Sequence, residues 1–153
     1  MATILTSKGE SILVDDADFV MLSAHTWRLN DGGYAIATIG GETVKMASLL
    51  LDCPTGMVRD HRNRNRRDNR RHNLRVATPL ESQGNTGVRK DNRSGFKGVT
   101  WNKAVSRWKA QIREGGRRRF LGYHVDAEAA ARAYDTAARA LFGEFAFLNF
   151  PVS

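Results

Sequence analysis

The sequence predicts an α+β fold in which small antiparallel sheets make up most of the chain and short helices pack against them. Up to Lys45, apolar and polar residues alternate in short runs separated by glycine-bearing turns, which is typical of strands and hairpins. Residues 59–75 are rich in arginine and asparagine and lead into residues typical of a helix start. Beyond Gly95, three strand patterns precede one alanine-rich helical pattern.

The N-terminal part is predicted to form a strand pair, a short helix and a second sheet. Residues 4–14 alternate around a Lys-Gly turn, and Asp15 or Asp16 suits the N-cap of the helix that follows. Residues 26–46 predict a three-stranded antiparallel meander that turns at two glycine pairs. Three apolar residues are expected to anchor the helix and the strand after it: Phe19, Leu22 and Leu29.

Trp27 opens the meander and is predicted to lie in the core, because a tryptophan at the start of a strand is more often buried than exposed to a ligand. A nucleic-acid contact by Trp27 and His25 is the alternative, and we expect His25 at the surface. Residues 49–51 predict one helical turn that packs on the sheet and ends before Pro54.

The stretch of residues 59–75 combines groups for phosphodiester chemistry with many cations. Asp60 carries the hard carboxylate oxygens that Mg²⁺ prefers, and His61 carries an imidazole that takes a proton near neutral pH. Asn73 lies twelve positions after His61, where an apolar run resumes, so a chain folded back as a hairpin brings its amide near the imidazole. The alternative is a solvated loop in which the adjacent aspartate and histidine are accidental.

This stretch resembles the catalytic segment of HNH endonucleases of the phage and intron homing type. The matching positions are Asp60, His61, Asn63, Asp68, Asn69, Arg70, Asn73, Leu74 and Arg75. The resemblance implies a ββα-metal hairpin and helix in which Asp60 binds a divalent metal, Mg²⁺ or Mn²⁺, His61 is the general base and Asn73 holds the active-site loop. The arginines of the stretch are expected to contact DNA phosphates: Arg62, Arg64, Arg66, Arg67, Arg70, Arg71 and Arg75.

Three features depart from that family's pattern. Ala47 and Ser48 replace a His-Arg pair expected before the stretch, and the family's second metal ligand, usually an asparagine, falls on Ser82. Arg64 replaces a turn glycine, which implies backbone strain if that position keeps a positive φ. These departures favour one alternative to an active enzyme, a DNA-binding regulator with an altered active site.

Composition indicates a polyanionic partner. The net charge is +8 over 153 residues, with a focus in residues 59–75, and double-stranded DNA fits this distribution. A membrane surface is the competing polyanion, but the arginines are interleaved with Asn and Asp and lack an apolar face.

A single cysteine, Cys53, excludes an internal disulfide framework and a zinc site of paired cysteines. With no signal or membrane-spanning pattern, we expect a cytoplasmic monomer that uses no small-molecule cofactor and contacts no membrane.

The chain after residue 75 predicts a short helix, a linker and a second module. Thr78 and Pro79 suit the N-cap and first position of the helix. Residues 84–94 predict a basic linker whose cations either track phosphates or belong to a plain tether. Asp126 suits the N-cap of a long alanine-lined helix, and Gly143 its C-terminal stop. Three strands are predicted before that helix, at 96–102, 108–113 and 118–123.

Residues 95–151 resemble the plant ethylene-response-factor (ERF, Apetala-two) DNA-binding domain. The matching residues are Lys97-Gly98-Val99, Trp108, Ala110, Ile112-Arg113, Leu121-Gly122, Ala133-Tyr134-Asp135 and Leu148-Asn149-Phe150. The resemblance implies a three-stranded sheet packed on one helix, with the outer face of the sheet in the major groove. Thr100 and Asn102 replace arginines of the plant domains, so the plant target sequence is not implied. Groove contacts are expected from Lys97, Arg113 and Arg118, and on charge alone from Arg107 and Arg119.

Alternation in the second of these strands predicts two different faces. Trp108, Ala110 and Ile112 are expected to face the helix, while Lys109, Gln111 and Arg113 face outward, where they either read DNA or serve as ordinary solubilising groups. Trp101 and Phe120 fit either face.

These patterns together predict a nuclease domain over residues 1–83, a basic linker over 84–94 and a DNA-binding domain over 95–151. The predicted function is a metal-dependent DNA endonuclease of the homing type, held on its target by the C-terminal domain. The DNA-binding regulator is the first alternative. An RNA-binding accessory protein is the second, and it is disfavoured because the aromatic residues do not form a stacking platform.

Overall fold

The computed structural model describes residues 1–151, which fall into two compact units. The first unit ends at Pro79 and the second begins at Leu80. Both combine small antiparallel sheets with few helices, as the predicted α+β class requires. Among the described residues, no helix is long and apolar enough to cross a membrane.

The first unit contains seven strands and two helices in its described part. A hairpin comes first, followed by a helix: β1 (Ala2–Leu5), β2 (Ser11–Val14) and α1 (Asp16–Ser23). The predicted meander follows and ends in a second helix: β3 (Arg28–Leu29), β4 (Ala35–Ile39), β5 (Glu42–Lys45) and α2 (Met46–Leu50). A second hairpin closes the unit: β6 (Val58–His61) and β7 (Leu74–Ala77). The strand pair, the meander and the fold-back over the arginine-rich stretch are confirmed.

The apolar core of this unit forms around Trp27, which is 1% exposed, so its predicted burial is confirmed. Leu22 is fully buried, as expected of a helix anchor. The expectation for Phe19 is wrong, because this side chain is exposed. Helix α1 turns Asp18 inward beside Leu22, since Asp18 binds an arginine from the segment between β6 and β7.

Strand β2 positions the segment that connects β6 to β7, residues 62–73. The Leu13 N–H donates to the Arg67 carbonyl at 2.8 Å, and the Asn69 N–H donates to the Leu13 carbonyl at 2.8 Å. The first hairpin therefore supports the arginine-rich connection by backbone hydrogen bonds, which do not depend on side-chain identity.

The second unit is a three-stranded antiparallel sheet packed on one long helix. Its elements are α3 (Pro79–Gly84), which begins at the boundary, β8 (Val99–Asn102), β9 (Arg107–Glu114), β10 (Arg117–His124) and α4 (Ala127–Phe142). The strand order β10-β9-β8 and the single long helix agree with the sequence expectation. Asp126 caps α4 by accepting from the Ala129 N–H at 2.7 Å, and Gly143 ends it with a φ of 52°.

The two faces of β9 differ as predicted. Ala110 and Ile112 are buried against the alanine-lined face of α4, whereas Arg113 is exposed. Trp101 and Phe120 are both exposed, at 47% and 53%.

The predicted linker begins inside the folded second unit. Gly84 is buried, and its carbonyl accepts from the Phe147 N–H at 3.0 Å and from Lys97 Nζ at 2.7 Å. A Cβ on Gly84 would lie 2.5 Å from Phe142 Cγ, so only glycine fits there. The boundary between the units therefore precedes the predicted one, because the last turn of α3 packs on α4.

Hydrogen bonds also close the C-terminal end of the unit. Asp135 is 4% exposed, and its carboxylate accepts from the backbone N–H groups of Asn149 and Phe150, each at 2.8 Å. Asn149 Oδ1 in turn accepts from the Lys97 N–H at 2.7 Å. The Ala-Tyr-Asp and Leu-Asn-Phe sequences thus tie the last residues to α4 and to the start of the sheet.

Gly98→Ala should destabilise the second unit more than Gly95→Ala. Both glycines have a φ near +77°, where alanine costs about 1–2 kcal/mol. A Cβ at residue 98 would also lie 2.1 Å from Tyr134 Cδ2, while one at residue 95 meets nothing within 4 Å. We expect Gly98→Ala to lower the free energy of unfolding by about 1–3 kcal/mol more than Gly95→Ala does. Hydrogen exchange of the β8 to β10 amides measures both losses. Equal losses of stability would show that the Tyr134 side chain moves aside in the Gly98→Ala variant.

Candidate active site

The residues expected to carry chemistry lie together on the β6–β7 hairpin. Asp60 and His61 end β6, where they pair in register with Arg75 and Leu74 of β7. Asn73 ends a single 3₁₀ turn immediately before β7. All three of these polar side chains are buried, with 8%, 5% and 2% of Asp60, His61 and Asn73 exposed.

Asp60 is held by a buried ion pair. Its Oδ2 accepts from Arg75 Nε at 2.9 Å, and both side chains are less than a tenth exposed. Arg75 therefore stabilises the carboxylate from the neighbouring strand, which differs from the phosphate contact expected of it.

The His61 imidazole is buried among polar groups. Its Nε2 lies 3.3 Å from Asn69 Oδ1, and its ring centre lies 5.9 Å from that of Tyr34. Burial lowers the pKa of His61 below 6.5, against the opposing effects of the Asn69 hydrogen bond and the Asp60 charge. At neutral pH the imidazole is therefore neutral, which is the form that accepts a proton.

Asn73 binds the connecting segment from both sides. Its Oδ1 accepts from the Asn63 N–H at 3.0 Å, and its Nδ2 donates to the Asp68 carbonyl at 2.7 Å. The amide thus fixes the segment that carries Asn69, the residue whose side chain contacts the imidazole.

Asp68 anchors the centre of the same segment and is 1% exposed. It accepts from Arg70 Nε and Nη2, both at 2.7 Å, and from Asn63 Nδ2 at 2.8 Å. The hydrogen bonds from Arg70 hold the pKa of the Asp68 carboxyl below its usual value, so it remains a carboxylate at neutral pH.

Arg71 joins the segment to the two helices of the first unit. Its Nε and Nη2 donate to the carboxylate of Asp18 at 2.8 and 2.7 Å, and its Nη1 donates to the Leu50 carbonyl at 2.9 Å. The Arg71 N–H donates to Asp15, which stands at the N-cap position of α1. Arg70, Arg71 and Arg75 thus bind carboxylates of the protein at 2.7–2.9 Å. Arg67 Nη2 lies 3.9 Å from Glu10 Oε1, and it is exposed like three other arginines of the segment: Arg62, Arg64 and Arg66.

Sequence reasoning missed Tyr34 and gave no role to Asn69. Asn69 belongs to the matched pattern, so its position next to the imidazole had a sequence signal. Tyr34 had none, because its place beside His61 depends on how the meander packs on the hairpin.

The remaining expected site residues lie in the second unit. Ser82 is half-buried on α3. Lys97 is also half-buried and donates to Gly84 within the unit, which differs from the expected groove contact. Arg113 and Arg118 are direct cross-strand partners on the outer face of the sheet, and Arg107 shares that face. Arg119 pairs in register with the inward-facing Ile112 and forms an ion pair with Glu114 at 3.6 Å.

A divalent metal has one well-suited ligand in the first unit. Among residues 1–151, no group of three or more His, Cys, Asp and Glu side chains lies close enough to hold a metal. Magnesium sites commonly use only one or two carboxylates, with water and substrate phosphates completing the shell. The Asp60 carboxylate, oriented by Arg75, fits that ligand chemistry.

The stretch of sequence that contains the hairpin matches a known protein family. Residues 52–83 match the family model described as HNH endonuclease. Protein 3.8 of Escherichia phage T7 is 33% identical over 93 residues, which cover 61% of this chain and 76% of the phage protein. The chain belongs to the HNH endonuclease family. An uncharacterized HNH endonuclease of Acanthamoeba polyphaga mimivirus is 27% identical over 147 residues, covering 93% of this chain and 76% of the viral one.

The C-terminal part of this HNH protein has plant relatives. The dehydration-responsive element-binding protein 2A of Arabidopsis thaliana is 44% identical over 69 residues, which are 44% of this chain and 20% of the plant protein. The chain thus spans a small fraction of that relative, in contrast to its coverage of the viral proteins. No solved structure matches the chain significantly.

Replacing Arg64 with glycine should stabilise the first unit. Arg64 has a φ of 63°, so the strain implied by its departure from the family pattern is present. We expect Arg64→Gly to raise the free energy of unfolding by about 1 kcal/mol, measured by urea denaturation.

Arg67→Gly is the matched control in the same segment, because Arg67 is exposed and has no positive φ. It should lower the free energy of unfolding by about 0.5–1 kcal/mol. A loss in both variants would mean that the side chain of Arg64 contributes more than its backbone strain removes.

Proposed function

We propose that this HNH protein is a metal-dependent DNA endonuclease of the homing type, in which the β6–β7 hairpin carries the active-site residues. The observation that supports the proposal most is the neutral His61 imidazole beside a carboxylate fixed by Arg75, on a segment held by Asn73. HNH endonucleases generally use a divalent metal. The viral origin of the relatives supports action in the cytoplasm of an infected cell.

The residues of the chain have distinct roles in this proposal. His61 accepts a proton from the attacking water, and Asn69 orients the imidazole through its contact with Nε2. Asp60 would hold the cation through its carboxylate, which Arg75 orients. A bound Mg²⁺ or Mn²⁺ neutralises charge on the scissile phosphate and the leaving oxygen. Asn73 acts as a positioning residue, because its side-chain amide binds backbone groups of the connecting segment. The proton transfer itself is the role of His61.

We propose that the second unit is an ERF-like domain that binds double-stranded DNA through the outer face of its sheet. Like charges directly opposite each other destabilise a sheet, and Arg113 faces Arg118 in this way. Among the described residues, neither arginine forms an ion pair with a carboxylate. A groove of about 710 Å³ adjoins this face, and Arg89 and Arg93 of the predicted linker line it together with Arg113 and Arg118. A DNA phosphate would relieve the repulsion between Arg113 and Arg118.

A second candidate function, a DNA-binding regulator without turnover, has a specific observation in its favour. Where the family pattern has a His-Arg pair, Ala47 is buried in the core and Ser48 donates to the Lys45 carbonyl at 2.6 Å. Neither side chain supplies a cation or an imidazole. In this alternative the same fold binds DNA and leaves it intact.

Wild-type protein should nick supercoiled plasmid in the presence of Mg²⁺ or Mn²⁺, and His61→Ala should slow nicking about 10²- to 10⁴-fold, the usual contribution of general acid–base catalysis. Asp60→Asn should abolish the metal-dependent nicking, and chelator should stop the reaction of the wild type. Gel electrophoresis of the relaxed product measures both rates.

His72→Ala is the matched control, since His72 is an exposed histidine of the same segment. It should nick at the wild-type rate. Nicking by His61→Ala at the wild-type rate would reject His61 as the base, and a wild type that binds DNA but never nicks would establish the regulator.

Arg113→Ala and Arg118→Ala should each weaken binding to duplex DNA and reduce the slope of log K against log salt by about 0.9, the value for one lost phosphate contact. Arg139→Ala on α4 removes the same charge from another surface and should leave the slope unchanged. Fluorescence anisotropy over a range of salt concentrations measures the slopes. Equal effects of all three variants would indicate a general loss of charge instead of a binding face.

A further inference from the structure

One cationic cluster of the first unit borders the candidate active site. It consists of Tyr34, Lys45 and Arg66, and we refer to it as the Tyr34 cluster. Lys45 Nζ lies 4.6 Å from the centre of the Tyr34 ring, and Arg66 Cζ lies 4.5 Å from it. The centre of the same ring is 5.9 Å from that of the His61 imidazole. The two cations are therefore held one aromatic ring away from the proposed general base.

The backbone fixes all three members. Tyr34 lies in the β3–β4 turn, where its N–H donates to Asn30 Oδ1 at 3.0 Å and its carbonyl accepts from the Asn30 N–H at 3.0 Å. Lys45 ends β5 opposite Ile36 of β4. Arg66 belongs to the segment between β6 and β7, and its Nη1 donates to the Gly32 carbonyl in the same turn as Tyr34. The meander thus brings two cations to the edge of the nuclease hairpin.

The charges of this cluster are not balanced by the protein. In the described part of the chain, neither Lys45 nor Arg66 forms an ion pair, whereas Arg70, Arg71 and Arg75 each bind a carboxylate. Cation–π contact attracts each group to the ring but supplies no net negative charge. A bound anion would supply that charge. Both cations are exposed, so an anion can reach them.

We propose that the Tyr34 cluster binds a backbone phosphate of the DNA strand that His61 attacks, one or two nucleotides from the scissile phosphate. The proposal rests on the proposed nuclease function for the identity of the strand, but the phosphate site itself requires only DNA binding. Successive phosphates of one strand are about 3.4 Å apart along the helix axis. A site that is separated from the imidazole by the Tyr34 ring therefore suits the phosphate of a neighbouring nucleotide. Tyr34 serves to hold both cations in place.

The test measures binding of the 153-residue chain to duplex DNA in chelator, where no cleavage occurs. Lys45→Met and Arg66→Met should each weaken binding and reduce the slope of log K against log salt by about 0.9. Lys8→Met in the exposed β1–β2 turn is the charge-matched control and should leave the slope at the wild-type value. Slopes for Lys45→Met and Arg66→Met equal to that of Lys8→Met would overturn the site.

Two substitutions of Tyr34 test the role of the ring. Tyr34→Phe keeps the ring and should bind DNA like the wild type, whereas Tyr34→Ala should weaken binding as the cation variants do. An equal loss of DNA binding in Tyr34→Phe and Tyr34→Ala would overturn the proposed role of the aromatic ring in holding the two cations. Thermal unfolding of each variant shows whether a loss of binding reflects a loss of fold.

A cleavage assay then separates this proposal from the proposed function. If the wild type nicks plasmid, Lys45→Met and Arg66→Met should raise KM with little change in kcat, since they hold a phosphate that does not react. A large fall in kcat at constant KM would overturn the assignment to a neighbouring phosphate. If the wild type does not nick, the nuclease function fails, and the binding slopes in chelator still decide whether the cluster holds a phosphate.

Discussion

Three buried carboxylates determine how the arginine-rich segment folds. Asp60 binds Arg75 across the hairpin, Asp68 binds Arg70 within the segment, and Asp18 of α1 binds Arg71. A run of like charges on its own repels and remains extended. Here each of these arginines meets a carboxylate in a fixed position, so the segment acquires one conformation. The position of Asn69, and hence of the imidazole that it contacts, follows from that conformation.

The Asp60–Arg75 ion pair is buried, and its energetics bear on why the fold contains it. Removing one member of a buried ion pair commonly costs about 3–5 kcal/mol, because the other charge remains buried without compensation. A hydrophobic pair of similar size is often at least as stable, so stability alone does not account for the presence of the ion pair. A carboxylate oriented by Arg75 next to His61 is useful if it binds a cation, and this is the chemistry that the family membership of the chain implies.

The sequence predicted the local elements well because each has a local cause. The strand pair, the meander, the helix capped by Asp126 and its end at Gly143 follow from alternation, turn glycines and capping residues within a few positions of one another. The same reasoning failed for Phe19, which is exposed because a charge pair 53 positions along the chain, between Asp18 and Arg71, sets the rotation of α1. The early start of the second unit also depends on a distant contact, between Gly84 and Phe142.

In the candidate site, too, the features with a local cause were predictable from the sequence and the features set by distant contacts were not. Asp60, His61 and Asn73 were identifiable from their spacing, because all three belong to one hairpin, where Asp60 and His61 end β6 and Asn73 directly precedes β7. What the pattern does not specify is which arginines bind the protein and which remain for a ligand. That division depends on carboxylates elsewhere in the fold, and it leaves Arg66 beside Tyr34 and Lys45 with no acidic partner in the described chain. A cation that the fold itself does not neutralise, held next to a neutral imidazole, is best explained by an anion that arrives with the substrate.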